Sequence, residues 1–107
     1  MVNIYGTRIM MTRGDTLRCL IKLTKGDEPY ELQDGDQVRF ALKKNYKDEE
    51  PLIVKNIASD LILELEPQDT KDLKVDTYYY DIEMTYADGA VDTFIAEARL
   101  ELRNEVY

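Results

Sequence analysis

Val75-Asp76-Thr77-Tyr78-Tyr79-Tyr80-Asp81-Ile82-Glu83-Met84-Thr85-Tyr86 is followed by Ala87-Asp88-Gly89 and then by Ala90-Val91-Asp92-Thr93-Phe94-Ile95-Ala96-Glu97-Ala98-Arg99-Leu100-Glu101-Leu102-Arg103. Both long segments alternate in polarity, and Asp-Gly between them is a turn signal, so the stretch reads as a β-hairpin. Its register can be argued. A two-residue Asp88-Gly89 turn pairs Tyr80 with Glu97 and Ile82 with Ile95, which mixes apolar and charged side chains on one face. A three-residue loop with Gly89 in the left-handed region shifts the pairing by one. Ile82 then meets Phe94, Tyr80 meets Ala96 and Tyr78 meets Ala98, while Asp81, Glu83, Thr93 and Glu97 share the other face. A one-residue slip exchanges faces, so the segregated register and its three-residue loop are expected.

The same period of two runs outward from this hairpin. In Asp15–Thr24, Leu17, Cys19, Ile21 and Leu23 face one side, and Thr16, Arg18, Lys22 and Thr24 the other; Leu20 breaks the rule and suggests partial cover on the second face. Gln37–Lys43 sets Val38, Phe40 and Leu42 inward against Arg39 and Lys43. Leu61, Leu63 and Leu65 alternate with Glu64 and Glu66. Turn chemistry falls between the runs, at Lys25–Pro29, at Gln33-Asp34-Gly35 and in the charged loop Asn45–Glu50. Ala58-Ser59-Asp60 is expected to join Leu52–Ile57 and Leu61–Glu66 as a short hairpin. Pro67–Leu73 is the one helical turn, with Pro67 setting φ at its start and Asp69 in its first turn. The pattern predicts an all-β protein, an antiparallel β-sandwich of about seven strands with a helical turn near residues 67–73, as a single domain over residues 1–107.

Composition narrows the chemistry. The chain of 107 residues is 44% hydrophobic and 34% charged, which fits a folded globule and not a disordered segment. It contains no His, one Cys and one Ser, so His-assisted nucleophilic catalysis and zinc sites built on His or several Cys are excluded. One thiol cannot form an internal disulfide. A net charge of −8 repels phosphate backbones, so nucleic acid is not expected as a partner. No apolar run exceeds three residues and the N-terminus lacks a basic and apolar leader, so neither a membrane helix nor a secretory signal is expected. No enzyme activity, cofactor or metal site is expected.

Cys19 lies on the inward face of its strand with no base to ionise it, and reads as a core thiol. Asp34, Asp36, Asp88 and Asp92 sit near turns, where short carboxylates bond local backbone, and their spacing matches no calcium loop. In Tyr78-Tyr79-Tyr80 the first and third rings point inward and Tyr79 outward. Lys43, Lys44 and Lys47 are followed at once by Asp48, Glu49 and Glu50, which marks a solvated loop and not an anion patch.

Two resemblances add to this reading. Leu61–Asp69 followed by Asp76-Thr77-Tyr78-Tyr79-Tyr80 resembles the corner before the sixth strand of immunoglobulin-like domains, where a tyrosine hydroxyl bonds back to the backbone; Tyr78 or Tyr80 fills that role. The ordered set Gly14-Asp15-Thr16, Pro29-Tyr30-Glu31-Leu32, Gly35-Asp36-Gln37-Val38-Arg39-Phe40, Pro67-Gln68-Asp69-Thr70 with Leu73, Tyr78-Tyr79-Tyr80-Asp81-Ile82 and Asp88-Gly89 is similar to the N-terminal immunoglobulin-like domain of phage baseplate upper proteins, over roughly residues 7–103. The chain departs from that pattern at Asp76, where the family has Gly two residues before the corner tyrosine; Asp tolerates the left-handed region and preserves the turn. Such proteins continue into a helical or fibre region that is not part of this sequence, so the resemblance implies the attachment domain alone, as a stand-alone tail component or as a fragment.

What the resemblance implies is a non-enzymatic structural protein of a phage or prophage tail or baseplate, acting as a protein–protein docking domain. Its partners would be other tail or baseplate proteins, with a homo-oligomer open, and its location the virion tail, or the bacterial cytoplasm before assembly. The outward apolar residues that alternation leaves unexplained, Leu20, Ile62, Tyr79 and Ile95, are the candidate interface. A carbohydrate-binding or adhesion module is the alternative, with Tyr79 and Tyr46 as its candidate aromatics.

Overall fold

The computed structural model describes residues 2–104. In chain order the elements are β1 (Val2–Tyr5), β2 (Arg8–Thr12), β3 (Leu17–Leu20), β4 (Thr24–Lys25), β5 (Glu28–Pro29), β6 (Gln37–Lys43), β7 (Ile53–Ile57), β8 (Ile62–Leu65), α1 (Pro67–Thr70), β9 (Thr77–Thr85) and β10 (Val91–Arg103). They form a six-stranded sheet in the order β1-β2-β10-β9-β6-β7, a two-stranded sheet β3-β8 and the ribbon β4-β5. The protein is therefore mostly β, as the alternation predicts. The expected antiparallel sandwich of about seven strands needs correction on two points. There are more and shorter strands, and the large sheet is mixed, because β2 runs parallel to β10 with Leu100 opposite Ile9 and Leu102 opposite Met11. The chain between these two strands passes through the second sheet and back, so their relative direction is set by that excursion and not by a hairpin.

Period-two burial builds one core between the sheets. Val38, Phe40 and Leu42 of β6, and Tyr78, Tyr80, Ile82 and Met84 of β9, are buried together with Ile9, Met11 and Leu100. Leu17 opposite Leu65 closes the core from the β3-β8 side, where Leu63 is also buried. Each such side chain removed from water stabilises the fold by about 1.5–3 kcal/mol before conformational entropy is counted. The run Asp15–Thr24 is not one strand: β3 ends at Leu20, although Ile21 still bonds Leu61 and Leu23 remains buried. Leu20 itself is 64% exposed, so the described residues do not supply the cover expected over it.

Ala58-Ser59-Asp60 does not close a hairpin. β7 pairs with β6 and β8 pairs with β3, so this turn carries the chain from one sheet to the other. Leu61 N–H bonds the Ala58 carbonyl at 2.9 Å, and Leu61 takes a φ of 57° to make the change of direction. The return crossing uses α1, shorter than the expected 67–73, with Pro67 in its first turn and the Asp69 carboxylate accepting from Glu66 N–H at 2.7 Å. In the turn before β9 the Tyr78 hydroxyl donates to the Lys74 carbonyl, four residues upstream, at 2.7 Å. Tyr80 donates instead to the Thr7 carbonyl and ties the turn after β1 to the sheet. Asp76 is not among the residues of positive φ; its carboxylate accepts from Thr77 N–H at 2.7 Å and pairs with Lys44 at 2.9 Å.

The β9-β10 turn is the expected three-residue loop: Tyr86 N–H bonds the Ala90 carbonyl at 2.8 Å and Gly89 has φ 90°. Farther along, the expected register fails. Shifts between Thr93 and Ile95 and again between Ile95 and Ala98 set Ile82 opposite Ile95, Tyr80 opposite Ala98 and Tyr78 opposite Leu100. The second shift is held by Glu97, at φ 55°, whose N–H donates to the Asp81 carboxylate at 3.0 Å. Each bulge inserts one residue into β10 and exchanges its faces. Ile95 is thereby turned toward the core, half-buried, and not outward as alternation alone had it.

Two stability changes follow from these local devices. Tyr78→Phe removes the corner hydrogen bond and should cost about 1 kcal/mol, a fall of roughly 4–8 °C in midpoint by thermal denaturation. Glu97→Gly relieves the left-handed strain of about 1–2 kcal/mol at an entropic cost of about 0.5–1 kcal/mol, and should raise stability by about 0.5 kcal/mol in urea titrations.

Candidate functional site

The outer face of the β3-β8 sheet consists of two cross-strand pairs. Arg18 lies opposite Glu64, with Nε donating to the carboxylate at 2.9 Å, and Leu20 lies opposite Ile62. Opposed apolar side chains on the outside of a sheet leave oily surface in water. Leu20 is 64% exposed and Ile62 38%.

Beside Leu20 a groove of about 270 Å³ opens between β3 and the β1-β2 hairpin. Its walls include Ile4, Thr7, Ile9, Cys19, Tyr80 and Ile95. At its mouth Ile4 is 44% exposed and Lys22 is exposed as well. The interior is apolar enough to shift its titratable groups. Burial raises the Cys19 thiol above its ordinary value, so it stays protonated at neutral pH. Burial also pushes Tyr80 up to about 12, with the neighbouring Cys19 charge adding to the effect. Two groups held in their neutral forms leave the groove wall largely apolar at neutral pH.

Of the four candidate interface residues, the fold brings three to this region. Leu20 and Ile62 are cross-strand neighbours, and Ile95 stands in the groove wall with Leu20. Tyr79 lies elsewhere, on the outer face of the six-stranded sheet next to Lys43, where its ring meets Tyr46 edge-on at 5.7 Å and 82°. Ile4, Thr7 and the edge of β3 were missed by sequence reasoning. Ile4 carries no signal of its own, because the short β1-β2 hairpin has too few residues for alternation to define an exposed face.

The other singled-out side chains act locally. The Asp36 carboxylate accepts from Gln33 N–H at 2.9 Å and from the Tyr30 hydroxyl at 2.6 Å, which pushes Tyr30 up to about 12. Asp88 accepts from Ala90 N–H at 2.9 Å, and Asp92 from the Tyr86 hydroxyl at 3.2 Å. The Lys44–Asp76 bond raises the lysine and, with Thr77 N–H, lowers the carboxylate, and the ammonium lies 5.6 Å from the Tyr78 ring. Among the described residues no group of three or more Cys, Asp and Glu converges to hold a metal ion.

No protein-family model, curated protein or solved structure matches the chain.

Tyr30 and Tyr80 give stability a defined alkaline limit. Both phenols are raised above the ordinary value of about 10, so their contribution is complete below that pH and is lost as pH rises through about 12. Thermal midpoints measured from pH 9 to 12 should fall in that window, and Tyr80→Phe should flatten the descent.

Proposed function

We propose that this chain is a non-enzymatic structural protein of a phage or prophage tail, working as a docking domain on an immunoglobulin-like β-sandwich. The fold reading is supported by the order of the strands: β2 joins the last strand in parallel, β10, β9, β6 and β7 follow side by side, and the separate β3-β8 sheet contributes Leu17, Leu63 and Leu65 to the same core. The Tyr78 hydroxyl on the Lys74 carbonyl supports it further, since a tyrosine corner at that place belongs to such sandwiches. The observation that carries the docking role is the exposed Leu20–Ile62 pair at the lip of an apolar groove. Function here is contact: an apolar surface held rigid on paired strands, in a chain whose charge of −8 keeps it soluble until a partner covers it.

The alternative, a carbohydrate-binding or adhesion module, draws on Tyr46 and Tyr79. Their perpendicular arrangement offers a ring edge in place of two coplanar faces on which a sugar would stack.

An affinity capture from a host lysate after prophage induction, read by mass spectrometry, separates the two. Recovery of tail or baseplate proteins, reduced by Leu20→Glu and unaffected by Tyr79→Ala, is the expected result. Binding to cell-wall glycan that is lost in Tyr79→Ala, with no tail protein recovered, would replace the docking reading by the adhesion module.

A further inference from the structure

We propose that the open edge of β3 is a strand-addition site for an extended partner segment carrying acidic residues on either side of an apolar one. The inference rests on the docking reading and names the surface and the kind of partner.

Backbone geometry comes first. Among the described residues β3 pairs with β8 and with no other strand. Ile21 N–H bonds the Leu61 carbonyl at 2.7 Å, and in the same register Cys19 with Leu63 and Leu17 with Leu65 are the hydrogen-bonded pairs. The N–H and C=O groups of Arg18 and Leu20 therefore point away from β8, along the groove. Among the described residues no backbone bond satisfies them there. An unpaired row of donors and acceptors is a template for one more strand.

The other end of the fold shows what a guarded edge looks like. β7 is one of the two edge strands of the large sheet, and its Lys55 lies opposite buried Phe40, on the inner face. That lysine reaches Asp69 of α1 at 2.9 Å. An inward charge of this kind discourages further pairing. β3 has none: its inward side chains are Leu17 and Cys19, and beyond them lies the apolar groove.

Charge then selects the occupant. The outward positions along this edge are Arg18, Leu20 and Lys22, a cation on each side of an exposed leucine in a chain of net charge −8. Arg18 is engaged by Glu64 through Nε, and Lys22 has no ion pair among the described residues. Directly opposed residues in adjacent strands interact, favourably for opposite charges and unfavourably for like ones. An added strand thus fits when it sets acid, apolar, acid against Arg18, Leu20, Lys22, with its intervening side chains apolar and turned into the groove. A second copy of this chain fits worse. Placing Leu20 against Leu20 of the other copy opposes Arg18 with Lys22, and both copies carry the same net charge.

The test uses the isotopically labelled full chain and a capped seven-residue peptide with Glu at its second and sixth positions, Leu at its fourth, Val at its third and fifth, and Thr at its ends. Heteronuclear NMR should show shifts at residues 17–22, Ile4 and Thr7, with slowed hydrogen exchange at the Leu20 amide. The same peptide with Lys in place of Glu should bind about tenfold more weakly, and the difference should shrink with added salt. Leu20→Pro removes the edge N–H at a position where proline is tolerated, and should abolish peptide binding. Should that variant not fold, Leu20→Glu, at a side chain 64% exposed, serves in its place. No response to the Glu peptide, equal response to both peptides, or shifts on another surface would overturn the assignment. So would concentration-dependent dimerisation that protects Leu20 without peptide. If tail proteins are captured undiminished by Leu20→Pro, the docking role stands and this edge is not its site. If the peptide binds at β3 and no tail protein is captured, the edge stands and the tail reading falls.

Discussion

Between α1 and β9 the chain leaves the two-stranded sheet, enters the six-stranded one and buries a tyrosine in the process. A buried hydroxyl without a partner costs about 1–3 kcal/mol, and the Lys74 carbonyl, four residues upstream, removes that cost for Tyr78. The bond also fixes where β9 begins. With Tyr78 held, Tyr80, Ile82 and Met84 fall in step on the same face, and β6 and β10 line up on either side of them. Tyr80 extends the arrangement by reaching the Thr7 carbonyl, so the N-terminal hairpin is anchored to the strand that the corner positions. The groove depends on this chain of contacts, because Tyr80 and Thr7 are both in its wall.

A β protein of this size has several open edges, and the structure treats them differently. At β7 an inward lysine satisfied by Asp69 combines a guarded edge with an anchor for α1. At β3 the edge stays open, the adjoining groove stays apolar, and the neighbouring outward leucine stays wet. Leaving such surface exposed carries a risk of aggregation, and it lies here beside two cations, Arg18 and Lys22, which is the feature on which the proposed docking role rests.

Electrostatics elsewhere is local. Arg8 with Glu101, Arg18 with Glu64 and Arg39 with Glu83 are surface pairs, each worth little on its own. Lys44 is used twice, bonding Asp76 and lying near the Tyr78 ring, and so braces the corner from outside. Asp36 and Asp88 are bound to the backbone of their own turns, which is the use that short acidic side chains in turns commonly find.

The residues that line the core were legible because alternation is a local property of the pleat: a strand with one face in the core must place apolar side chains at every second position. Val38, Phe40 and Leu42, Tyr78, Tyr80 and Ile82, and Leu63 and Leu65 could be assigned without any knowledge of neighbours. The Ala87-Asp88-Gly89 loop was legible for the same reason, since its chemistry lies within three residues. Half of the candidate site was visible too, as Leu20 and Ile62 break the pattern in their own strands. Pairing is a different kind of information. Whether residues 58–61 return the chain to its neighbour or send it to the other sheet depends on which strands lie opposite, and both outcomes need the same turn residues. The bulges at Ile95 and Glu97 answer to the fit of β10 between β9 and β2, so Ile95 moved inward although its own sequence reads outward. Alternation of buried and exposed faces is thus written residue by residue. The order of the strands, the parallel partnership of β2 with β10 and the open edge of β3 arise only when distant segments close on one another.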